Sequence, residues 1–92
     1  MKTAQAVGIA QDALIWLAGR PDDLGRFLAF GGAGAADLRG RSADPELLGF
    51  VLDFLLESDA RTLAFTSAAD LPPDAPARAR AALPGGDAPN WT

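Results

Sequence analysis

Histidine, cysteine and tyrosine are absent from this 92-residue chain, and its lysine is confined to Lys2. Without histidine or cysteine, zinc loses its usual nitrogen and sulfur ligands, and neither a disulfide framework nor a thiolate centre can form. General acid–base work falls to carboxylates. A nucleophile would have to be Ser42, Ser58, Ser67 or a threonine, with no histidine or interior lysine to activate it. Asp22-Asp23 lacks the alternating oxygen ligands of a calcium loop. No apolar run approaches the roughly 20 residues of a membrane span, and Met1 to Val7 lacks the continuous apolar stretch of a signal peptide. The expectation is a non-enzymatic, cytoplasmic protein with no metal, no cofactor and no membrane association.

What is present fits a small globular protein. An apolar content of 49% with 22% charged residues suits a packed core. One helical domain is expected over residues 1–84, followed by a flexible Gly- and Pro-containing tail over 85–92. The net charge of −4 weighs against a protein that binds by neutralising phosphates over a broad basic surface.

The most apolar and best delimited segment runs from Asp44 to Ser58. Asp44 is an N-cap residue type and Pro45 suits the first helical position, where its missing N–H is no loss. At about 100° per residue, Glu46, Gly49, Asp53 and Glu57 fall on one narrow strip, expected to be the solvent edge. Leu47, Leu48, Val51, Leu52, Phe54 and Leu55 fill most of the rest, which makes this the central core helix. Phe50 and Leu56 flank the strip, either covered by neighbours or facing outward as a docking surface. Asp53 and Glu57 are spaced i to i+4, but a solvated strip is a poor place for paired catalytic carboxylates.

Around it the chain reads as further short helices with no β-type alternation. Thr3 can cap a first helix to about Ala18, with Ala6, Ala10, Ala13, Leu14 and Leu17 on one face and Val7 and Ile9 at its margins. Ile15 falls on its polar side and Trp16 at the edge. Pro21-Asp22-Asp23 opens a second helix, with Leu24, Phe27 and Leu28 inward and Gly31-Gly32 ending it. Ala35 to Arg41 suggests a short third helix. Ser58 should cap a helix from Asp59 to about Ala69 that buries Leu63, Ala64 and Phe65, and a last one runs from about Asp74 to Leu83 with Pro76 in its first turn. Leu28-Ala29-Phe30 recurs as Leu63-Ala64-Phe65, a hint of two three-helix pseudo-repeats.

Two motif-like stretches need weighing. Gly31-Gly32-Ala33-Gly34 follows a helix rather than a strand and lacks a Gly-Lys-Ser/Thr, so it reads as a corner and not a phosphate loop. Thr66 to Asp74 has the layout of a helix-turn-helix corner, with Gly31 to Leu38 as an earlier copy that has the Gly in place, yet the short helices that follow offer little beyond Arg39 with Arg41, and Arg78 with Arg80, to reach base edges.

The order of pieces resembles a small alphaproteobacterial family, the domain of unknown function numbered 3572. Trp16-Leu17-Ala18, Pro21 to Leu28, Asp37-Leu38-Arg39, Asp44-Pro45, Val51 to Leu56, Leu63-Ala64-Phe65 and Leu71-Pro72-Pro73 carry the likeness, almost to Gly86. Asp70 stands where that family usually has Gly, and Pro76 where a β-branched apolar residue is expected. The resemblance implies a compact helical domain and supplies no activity.

The fold expected is therefore all-α, a compact orthogonal bundle of five to six short helices around residues 45–57. The expected function is a protein–protein interaction or adaptor domain, its partner docking near Phe50, Leu56, Ile15 or Trp16. The alternative is a helix-turn-helix-like nucleic-acid-associated protein using Arg39, Arg41, Arg78 and Arg80. Partner identity and oligomeric state are open.

Overall fold

A computed structural model describes residues 1–31, 40 and 43–83. Five helices lie within them: α1 (Thr3–Ala18), α2 (Pro21–Gly31), α3 (Pro45–Leu56), α4 (Asp59–Ala69) and α5 (Ala75–Ala82). No strand occurs among the described residues. The fold is all-α, as expected. The suggested helix from Ala35 to Arg41, and the tail over 85–92, lie outside the described residues.

The central helix begins where its sequence says it should. Asp44 is extended, its Oδ1 accepts from the Glu46 N–H at 2.9 Å, and Pro45 follows at the first helical position. Leu47, Leu48, Val51, Leu52, Phe54 and Leu55 are all buried, each fully covered leucine contributing about 1.5–3 kcal/mol relative to exposure. α1 lies against both α3 and α5, and these three helices form the body of the bundle. α2 covers α1 and α3 from one side, and α4 packs chiefly on α3. Phe27 from α2, Leu17 from α1, Phe65 from α4 and Leu83 beyond α5 close the core.

Some sequence expectations need correction. Thr3 does not cap α1, because Lys2 occupies that position without a side-chain bond. The Thr3 hydroxyl instead reaches the Ala82 carbonyl at the end of α5, at 3.5 Å. Ile9 is fully inside the α1 face and Leu14 only partly. On α4 the inward positions are Thr62, Phe65 and Thr66, whereas Leu63 is 52% exposed. Burying a threonine is cheap when its hydroxyl donates to backbone. The Thr62 hydroxyl bonds the carbonyls of Leu55 (2.8 Å) and Ser58 (3.0 Å), and that of Thr66 bonds Leu63 (3.2 Å). The matching Leu-Ala-Phe triplets bury different members, since Phe65 is covered and Phe30 is 41% exposed.

The strip of α3 expected to face solvent is also only partly open. Gly49 is buried and Asp53 half-buried. Arg80 of α5 crosses this strip: its Nε donates to Asp53 Oδ1 at 2.6 Å, and a Cβ on Gly49 would stand 2.9 Å from its Nη1. The glycine thus leaves room for a guanidinium to lie on the helix.

α4 ends on Asp70, a non-glycine residue in the left-handed region (φ 57°, ψ 47°). The Leu71 N–H bonds the Thr66 carbonyl at 2.9 Å and the Asp70 N–H that of Ser67 at 3.4 Å, the paired bonds of a Schellman closure.

Two stability predictions follow from this geometry. Asp70→Gly should stabilise the domain by about 0.5–1 kcal/mol, because glycine adopts positive φ without the Cβ penalty; a urea midpoint that falls would contradict it. In a double-mutant cycle, Gly49→Ala should gain about 1 kcal/mol of helix propensity in an Arg80→Ala background and clearly less with Arg80 present. Equal effects in the two backgrounds would remove the steric coupling.

Candidate functional site

Two surface regions gather the side chains able to engage a ligand. The first is an open groove of about 270 Å³ between α1 and α4, lined by Asp12, Ile15, Trp16, Phe65, Ala68 and Ala69. Periodicity puts Ile15 on the side of α1 facing away from α3, and it is 70% exposed. Trp16 is half-buried and meets Phe65 edge-on, with ring centroids 5.7 Å apart. The Arg20 guanidinium caps its ring at 4.6 Å. Asp12 is exposed at the rim and forms no ion pair among the described residues.

The second region lies at the starts of α2 and α4, where the Asp23 carboxylate faces three guanidinium groups. Arg20 Nε donates to Oδ2 at 2.8 Å and Arg26 Nη1 to Oδ1 at 3.3 Å. Arg61 Nε stands 3.6 Å from Oδ1, an ion pair too long to be a hydrogen bond. Helical spacing of three brings Arg20 and Arg26 to Asp23 from either side, and Arg61 is aimed there by Ser58. The Ser58 Oγ accepts from the Arg61 N–H at 3.2 Å and so fixes the first turn of α4. Arg61 lies over the Phe54 ring at 4.0 Å and donates from Nη1 to the Phe54 carbonyl at 3.0 Å. α3 has no basic residue in its own last turn, so Arg61 supplies the cation that the negative end of that helix favours. Its Nε is buried and without a hydrogen-bond partner.

The hydrogen bond from Arg20 is the main reason that the Asp23 carboxyl is held below its ordinary value. The charges of Arg20 and Arg61 add to the effect, and burial opposes it.

The expected docking residues separate into two places. Ile15 and Trp16 share the groove. Phe50 is half-buried and packed on the core, its ring 6.1 Å from Phe27 and 4.9 Å from Phe30. Leu56 is half-buried at the end of α3. Of the arginines proposed for nucleic acid, Arg39 and Arg41 lie outside the described residues, Arg78 is exposed, and Arg80 is held by Asp53. The Arg20, Asp23, Arg26 and Arg61 cluster did not emerge from the sequence reading. The one local signal for it is Arg20-x-x-Asp23-x-x-Arg26, which places three charges on one ridge.

With this geometry in place, comparison with known proteins decides the family. A family model described as protein of unknown function (DUF3572) matches residues 3–86. The chain belongs to that family. No curated protein and no solved structure matches it. Among the described residues no cluster of acidic side chains could hold a metal ion, and no helix is long and apolar enough to cross a membrane.

A carboxyl held low when folded contributes stability that is present above its unfolded value, about 3.9, and lost as pH falls through the folded value. Asp23→Asn should therefore be less stable than wild type at pH 7, with the gap closing as pH drops from about 4 toward 2. Urea midpoints measured across that range check the sign, and a gap that widens on acidification would refute it.

Proposed function

We propose that this domain works by binding a partner protein rather than by catalysis, and that the partner docks in the α1–α4 groove. The observation that carries the reading is Ile15. A β-branched residue 70% exposed beside a half-buried tryptophan gives apolar surface that no element among the described residues covers. Trp16 is pre-positioned by edge-on contact with Phe65 and by Arg20 over its ring, so little side-chain freedom remains to be lost on binding. Asp12 at the rim, in a chain of net charge −4, favours a segment that presents an apolar side chain with a basic neighbour. Phe50 serves the core in this reading. The nucleic-acid alternative is weaker, because Arg80 is already committed to Asp53.

Affinity purification from the source cell, repeated with variants, tests this. A protein retained by wild type should be lost with Ile15→Asp and weakened by Asp12→Lys, while Phe50→Ala keeps it and lowers stability by about 1–3 kcal/mol. Retention that is indifferent to Ile15→Asp overturns the groove as the docking site.

A further inference from the structure

Asp23 is outnumbered. The cleft of about 280 Å³ between the starts of α2 and α4 is lined by Arg20, Arg26 and Arg61 against that one carboxylate, which leaves two positive charges over. Two further acids flank the cleft without lining it: Asp22, exposed, lines the adjoining recess with Arg20 and Arg26, and Asp59, exposed, stands in the first turn of α4.

The donors are also in surplus. A guanidinium carries five N–H groups; Arg20 gives one to Asp23, and Arg26 gives one across a long 3.3 Å. Both side chains line the cleft and are half or more exposed, so donors remain open to solvent there. Ala60 brings the first turn of α4 to the same cleft; the Arg61 N–H there is already capped by Ser58 Oγ, but the positive end of the helix dipole still favours negative charge.

We propose that this cleft is a binding site for a phosphate dianion, either free or as a phosphomonoester, gripped by the Arg20 and Arg26 forks at the head of α4. Two surplus positive charges match a dianion better than a carboxylate, and guanidinium forks fit phosphate oxygens two at a time. The site also accounts for the orphaned Arg61 Nε. Asp23 is drawn toward Arg20 and Arg26 and stops 3.6 Å short of Arg61. An anion that takes over those two arginines frees the carboxylate to close that gap, so that binding tightens the contact between α2 and α4. The cleft is distinct from the α1–α4 groove, and the proposal stands without the docking reading.

An NMR titration with inorganic phosphate, against chloride at matched ionic strength, tests it. N-acetyl-O-phosphoserine amide and its unphosphorylated counterpart serve as second and third probes. Expected are saturable shifts centred on the amides of Asp23, Ala60 and Arg61 and reaching Trp16 through Arg20, together with a shift of the Arg61 Nε–H signal as it gains a partner. Arg26→Gln, at a 63% exposed side chain, should weaken binding about tenfold, a change that corresponds to about 1.4 kcal/mol. Saturation by inorganic phosphate supports the free ion as ligand. Clearly tighter binding of the phosphoserine probe, with silence from the unphosphorylated one, supports a phosphate carried on a protein. Shifts that merely track ionic strength, or that Arg26→Gln leaves unchanged, overturn the site.

Discussion

A helix apolar over most of its circumference has to be covered from several sides, and in a chain this small every other described helix is drawn into that task. Pro45–Leu56 buries seven of its residues. α1 and α5 take one side, α2 and α4 the others. Since a small domain has little stability in reserve, each of those helices sets apolar side chains against α3, while α1 and α5 also pack on each other. What is left over at the surface, such as Ile15, then stands out as apolar area without a packing role.

The same constraint shapes the electrostatics. α3 carries no basic residue in its last turn, so charge compensation has to come from its neighbours. Arg61 does this from α4, resting on the Phe54 ring and donating to the Phe54 carbonyl. Arg80 does it from α5, crossing the buried Gly49 to reach Asp53. In each case an arginine uses its flat, weakly hydrated head to pack and to pair at once, which a lysine ammonium does less well. Arg61 and Arg80 therefore have a structural use that a lysine would fill less well.

Local signals were legible in the sequence because their physics is local. Asp44 with Pro45, and Ser58, each mark a helix start through bonds spanning two or three residues, and both are observed. The inward face of α4 was misread for a chemical reason. Leu63 outranks threonine on any scale of apolarity, but Thr62 and Thr66 satisfy their hydroxyls on nearby carbonyls and can be buried at little penalty. Gly49 and Asp53 were misplaced because Arg80, 27 residues beyond Asp53, covers them, and no periodicity within α3 reports a side chain from α5. Asp23 had a reading as a first-turn acid, which is correct locally; its third guanidinium arrives from α4 and is invisible at the level of spacing.

Arg20 ties the two surface regions together. Its guanidinium stacks on Trp16, which floors the apolar groove, and its Nε holds Asp23, which centres the cationic cleft. Along α4 the linings follow one another, with Ala60 and Arg61 in the cleft and Phe65, Ala68 and Ala69 in the groove. A single side chain can hardly keep both contacts unchanged if an anion draws it off Asp23, because its stacking over Trp16 depends on where its Nε is anchored. Occupancy of the cleft would then alter the packing of the groove's main aromatic residue. The reverse holds by the same free-energy coupling: a partner seated against Trp16 would shift the affinity of the cleft for its anion. Were both surfaces occupied, their affinities would be linked through Arg20, the side chain that touches Trp16 and Asp23 alike.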